Sequence, residues 1–175
     1  MTEVKALLLD ISNALRNPGQ TYPVAAQVEL EPVEVLGDTI RFGDISLKGT
    51  MVGAGETVTI EGELSTKVHA HCALCLEEVT SDMTVQVSGI FSRQPQADDP
   101  DLYPIEGSKA EILDMIRDAL LLELPMQFLC KEDCAGLCPV CGANRNRVAC
   151  TCQEGGERQN PFTALKQLLT EDEEV

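Results

Sequence analysis

Val58, Ile60, Gly62, Leu64, Thr66, Val68 and Ala70 alternate with Thr57, Thr59, Glu61, Glu63, Ser65, Lys67 and His69. A period of two lets one face of a strand be buried while the other meets water, so this run predicts a long strand. A second alternation follows at Val79, Ser81, Met83, Val85, Val87, Gly89 and Phe91, and weaker ones cover residues 24–30 and 39–47. Gly37-Asp38, Gly43-Asp44 and residues 53–56 supply turn chemistry between them. The first half of the chain is thus expected to be β-rich and antiparallel.

Residues 92–107 break the pattern with Pro95, Pro100, Pro104 and the acids Asp98, Asp99 and Asp101, which predicts a loop with no buried element. Ser108-Lys109-Ala110-Glu111 has the form of a capping box, in which Ser108 accepts from the Glu111 amide and the Glu111 side chain reaches back. Behind it Ile112, Leu113, Ile116, Ala119 and Leu120 share one helical face, and Pro125 restricts Leu124. A helix near 108–124 follows. Near the start, an edge strand over residues 6–9 followed by a turn is preferred to a short helix over 10–16. Beyond residue 160, Phe162, Leu165, Leu168 and Leu169 make a brief amphipathic segment over 161–170, too short to stand alone, ahead of the acidic run Glu171-Asp172-Glu173-Glu174. The expected fold is α+β: residues 1–125 form an antiparallel β-rich domain with one packed, capped helix. Residues 126–155 form a cysteine-rich zinc module, and 156–175 form the amphipathic segment and acidic tail.

Charge and composition narrow the function. Thirteen basic residues oppose 29 acidic ones, a net charge of −16, which repels a phosphate backbone but suits a basic protein partner; the same charge also keeps a protein soluble. Aromatic residues are 3% of the chain and Trp is absent, so a base-stacking platform has little to be built from. Met1-Thr2-Glu3-Val4-Lys5 lacks a basic leader region, and Asp10 interrupts the apolar run at Leu7-Leu8-Leu9. Neither a signal peptide nor a membrane span is expected, and the location expected is cytoplasmic.

In a reducing compartment the 8 cysteines point to metal ligation or redox chemistry ahead of disulfides. Cys130, Cys134, Cys138, Cys141, Cys150 and Cys152 cluster late in the chain. Cys138-Pro139-Val140-Cys141-Gly142 has the spacing of a zinc knuckle: two intervening residues turn both thiolates toward one ion, and the glycine tolerates the turn. Cys150-Thr151-Cys152 can complete a tetrahedron, closed to water and therefore unsuited to hydrolysis. A second pair, Cys72 and Cys75, lies between the two best strands, with Cys130 and Cys134 as its expected partners in a second site. Cys134 could instead replace a member of the late pair, or His69 and His71 could contribute, although ordinary exposed strand positions suit the histidines better. A redox Cys-x-x-Cys belongs at a helix start after a strand, a setting this pair lacks.

Cys134-Ala135-Gly136-Leu137-Cys138-Pro139-Val140-Cys141-Gly142-Ala143-Asn144-Arg145-Asn146, followed by Cys150-Thr151-Cys152, resembles the C-terminal signature of the YceD family. Cys72-x-x-Cys75-Leu76, Leu122-Glu123-Leu124-Pro125 and Asn160-Pro161-Phe162-Thr163-Ala164-Leu165 resemble the same family in the same order. Arg145 departs from it, since a leucine is more usual between the two asparagines. The resemblance implies a role in accumulation of large-subunit (23S) ribosomal RNA and in 50S subunit biogenesis.

The expected function is therefore that of an accessory factor, not an enzyme, since no nucleophile stands with its base. It would hold one zinc ion, or two, and bind a ribosomal protein or a large-subunit assembly intermediate. Lys131, Arg145 and Arg147 are the candidate contacts if RNA or a partner meets the zinc module. No membrane and no small-molecule substrate are expected. The rival classes are a thiol redox protein and a zinc-ribbon adaptor of the transcription machinery.

Overall fold

The computed structural model describes residues 7–35, 37–93 and 102–152. In chain order the elements are β1 (Leu8–Asp10), α1 (Ser12–Arg16), β2 (Thr21–Val28), β3 (Val33–Val35), β4 (Asp38–Phe42) and β5 (Ile45–Ala54), then β6 (Thr57–His71), β7 (Glu78–Ser92), β8 (Leu102–Glu106), β9 (Lys109–Glu111) and α2 (Leu113–Leu122). The chain divides into a larger unit, residues 1–73 and 77–132, and a smaller one, residues 74–76 and 133–175. Among the described residues all the strands and helices belong to the larger unit.

The two strict alternations pair with each other along their whole length, from Thr57 opposite Ser92 to His71 opposite Glu78. The buried positions of β6 are Val58, Ile60, Leu64, Thr66, Val68 and Ala70, as the period of two requires. From this hairpin the sheet runs through β8, β9 and β1 on one side and through β4 and β3 on the other, with β5 also on β6 and β2 outside β5.

The weak alternation over 39–47 is one path with a bulge in it. Phe42 pairs with Val68 but Ser46 pairs with Ser65, so three residues of this path, Gly43, Asp44 and Ile45, oppose Lys67 and Thr66. One extra residue flips the side-chain parity: Ile40 is buried before the bulge, and Ile45, Leu47 and Met51 after it. The Gly43 amide still donates to Lys67 O at 2.8 Å, and the half-shielded Thr66 hydroxyl donates to Gly43 O at 3.3 Å.

Three expectations are corrected. Residues 109–111 are strand, not the first turn of a helix, because Ala110 is fully buried while pairing with both Leu9 and Ile105. Helix α2 therefore begins at Leu113, with Ile112 at its N-cap and no side-chain cap bond, and ends at Leu122; the capping box does not form. Leu102–Glu106, placed within a loop by the prolines of residues 92–107, forms β8 with Ile105 at the core edge, and it lies parallel to β7, so the sheet is mixed. Pro104 is tolerated there in a short strand that needs few donors. Near the start both alternatives occur in shifted form, as β1 and the one-and-a-half-turn α1. The segment 161–170 and residues 94–101 lie outside the described residues.

The main apolar core joins both helices to the sheet. Ile112, Leu113, Met115, Ile116 and Leu120 from α2 and Ile11 and Ala14 around α1 meet Val58, Ile60, Leu64, Val85, Val87 and Phe91. Helix α2 sits so close to β7 that a Cβ at Gly89 would lie 2.5 Å from the Met115 sulfur. Further along β6, Val68 and Ala70 join Ile40 in a second cluster covered by Leu124 and Phe128.

Candidate metal centre

The smaller unit is held by backbone turns, with no regular element among its described residues. Leu137 and Asn144 form an isolated antiparallel bridge. Around it the Cys138 amide donates to Ala143 O at 2.8 Å, the Gly142 amide to Cys138 O at 2.9 Å, and the Arg145 amide to Gly136 O at 2.9 Å. Gly142 takes φ 72°, the left-handed turn that the knuckle spacing demands. Gly136, at φ 68°, brings its backbone against Leu74, whose carbonyl also accepts from the Leu137 amide at 2.9 Å.

This turn aims sulfur inward. Cys138, Cys141, Cys150 and Cys152 place their Sγ atoms within 4.8 Å of one another. A tetrahedral ion with metal–sulfur bonds of about 2.3 Å needs sulfurs roughly 3.8 Å apart, so the group is close to ligating geometry. The amides of Cys141 and Val140 donate to the Cys138 sulfur and lower its pKa to about 6. Cys152 is pushed up to about 12, first by its thiol hydrogen bond to Cys141 and then by desolvation. Cys150 is raised by the hydrogen bond it gives Cys138 and by desolvation. Four sulfurs this close retain protons between them unless a cation replaces those protons, and a four-sulfur site leaves no position open for water.

Of the other four cysteines, Cys72 and Cys130 belong to the larger unit, the first buried and the second exposed, and Cys75 and Cys134 to the smaller, the first buried and the second half-buried. The group formed by Cys138, Cys141, Cys150 and Cys152 could hold a metal ion. The histidines are engaged elsewhere: His71 Nδ1 lies 2.7 Å from the Asp38 carboxylate, and His69 Nδ1 lies 3.0 Å from the Thr80 hydroxyl. The His71 amide and ring together hold the Asp38 carboxyl below its ordinary pKa. Lys131, Arg145 and Arg147 are all exposed.

Asn144 and Asn146 carry more of the local structure than their sequence positions announced. Asn146 Oδ1 accepts from the Ala135 amide at 2.9 Å, and its Nδ2 donates to Cys134 Sγ at 3.2 Å and to Asn144 Oδ1 at 3.0 Å. Asn144 Oδ1 also accepts from the Asn146 amide at 2.9 Å. An Asn-x-Asn pair two residues after a knuckle glycine was the available signal, because short amides readily satisfy turn backbone.

The fold and the site define a mostly β protein with a cysteine-rich module in which one group of four sulfurs could hold a metal ion. The family model described as large ribosomal RNA subunit accumulation protein YceD matches residues 60–169, and the chain belongs to that family. An uncharacterized protein of Mycobacterium tuberculosis is 30% identical, over 78% of this chain and 69% of its own length. The uncharacterized protein YlbN of Bacillus subtilis is 25% identical, over 90% of this chain and 93% of its own. A maize protein named large ribosomal RNA subunit accumulation protein YCED homolog 1, chloroplastic, is 24% identical, over 54% of this chain and 43% of its own. No solved structure matches. Among the described residues no helix is long and apolar enough to cross a membrane.

Proposed function

We propose that the chain is a cytoplasmic accessory factor for large-subunit ribosomal RNA accumulation and large-subunit biogenesis, acting by binding and not by catalysis. Membership of a family described by that accumulation role is the observation that carries this reading. The cysteine groups act as structural zinc sites, with Cys138, Cys141, Cys150 and Cys152 as the first ligand set and Cys72, Cys75, Cys130 and Cys134 as the second. Four thiolate donors in a closed site match the softness and tetrahedral preference of zinc, and such a site contributes folding energy. The partner is a basic ribosomal protein or an assembly intermediate, a choice supported by the net charge of −16. Lys131, Arg145 and Arg147 are the candidate cations for any RNA contact.

Isolation of the tagged chain from growing cells, with identification of bound protein and RNA, tests the binding role. Large-subunit proteins or precursor particles are the expected companions. Recovery with RNA polymerase alone would replace this reading with a transcription adaptor. Zinc content measured on protein purified without chelator tests the metal, and metal-free protein would return the cysteines to redox chemistry.

A further inference from the structure

Strand β2 pairs with β5 on one side, and among the described residues nothing pairs with its other side. The remaining edges, β1 and β3, are three residues long, whereas β2 runs for eight. Long edges are ordinarily blunted by charge, by proline or by a covering segment, because their outward amides and carbonyls accept another strand. β2 reads Thr-Tyr-Pro-Val-Ala-Ala-Gln-Val and carries no charge, and Pro23 can silence only one amide. Its centre is Ala25-Ala26, whose small side chains leave the backbone unshielded.

Charge around the edge selects what would occupy it. Exposed Glu29 and Glu31 follow β2 directly and exposed Glu34 lies in β3, and no ion pair among the described residues engages any of them. A strand laid along β2 would bring its end among these carboxylates, which favours lysine and arginine and rejects acidic sequences and phosphodiesters. We propose that β2 is a docking edge for an extended, basic polypeptide segment, which pairs with residues 21–28 by strand addition and is selected by Glu29, Glu31 and Glu34. The backbone bonds supply affinity and the carboxylates supply charge selectivity. This deepens the assembly-factor reading and rests on it for the partner's source: the extended basic tails of large-subunit ribosomal proteins.

The probe is a set of synthetic peptides tiling those tails, with glutamate-for-lysine versions as controls, added to the full zinc-loaded chain. Basic peptides should slow hydrogen exchange within 21–28, and the acidic controls should not. Neighbouring strand residues turn their amides to opposite sides, so one of Ala25→Pro and Ala26→Pro removes an outward amide without touching the β5 ladder. That variant should keep its melting temperature and lose binding about tenfold or more. Glu29→Lys combined with Glu31→Lys should weaken binding and flatten its salt dependence, a readout that stands even if both proline variants unfold. Binding that leaves exchange in 21–28 unchanged, or that survives the folded proline variant, would overturn the proposal. So would failure of every basic peptide, or RNA in place of peptide at this edge. The ribosomal RNA ratio in a strain lacking the gene tests the assembly role whichever surface carries it, so failure of the edge and failure of the assembly role are separable.

Discussion

Zinc capture by Cys138, Cys141, Cys150 and Cys152 should be steeply pH-dependent. The metal binds thiolates, so each ligand that is protonated before binding releases its proton, and the slope of log affinity against pH equals the number released. Cys138 has a pKa lowered to about 6 by the Cys141 and Val140 amides, so at neutral pH it is already a thiolate and releases almost nothing. Cys152, pushed up to about 12, and Cys150, also raised, are protonated there and must each give up a proton. From these two alone, affinity should climb about 100-fold per pH unit between roughly pH 7 and 8. The direction is fixed: lowering pH weakens binding, and below about 6 the slope steepens by a further unit as Cys138 takes up its own proton. Competition against a chromophoric chelator across pH measures the slope, and calorimetry in buffers of different ionisation enthalpy counts the protons independently. A slope of one or less near neutrality would refute the shared-proton picture of this site.

Other perturbations address packing and support. Gly89→Ala puts a methyl 2.5 Å from Met115 Sδ and 2.9 Å from its Cγ, and should cost about 1–3 kcal/mol in thermal or denaturant unfolding as α2 is pushed from β7. Asn146→Ala removes the donor to Cys134 Sγ and the acceptor for the Ala135 amide, and should weaken metal retention by that sulfur's group about 10–100-fold, read from the cobalt charge-transfer band. Chelation should abolish exchange protection over residues 133–152 while β6 and β7 stay protected, because that hairpin carries its own apolar core; loss of protection over 57–92 would contradict this.

What could be read from sequence was whatever depends on neighbours along the chain. The β6–β7 hairpin was visible because fifteen paired positions keep one parity. The knuckle was visible because two thiols and a glycine at fixed spacing have few other uses. The capping box was misleading for the converse reason: Ser108 and Glu111 are compatible with a helix start, but pairing of Ala110 with Leu9 and Ile105 across the sheet outweighs a local bond worth about 1 kcal/mol. Strand β8 was hidden because its partner β7 is parallel and Pro104 within it mimics a loop. The parity flip at Gly43-Asp44 blurred the alternation over 39–47, since a bulge is specified by the strand opposite it. That Cys138, Cys141, Cys150 and Cys152 meet depended on where the backbone carries them, which spacing alone left open.

The ratio of mature large- to small-subunit ribosomal RNA, measured in a strain lacking the gene and in the same strain carrying it on a plasmid, tests the assembly role most directly. The ratio should fall in the deletion and return with the intact gene, with free large subunits reduced in gradient profiles. An unchanged ratio across growth temperatures would contradict the account, whatever the protein proves to bind.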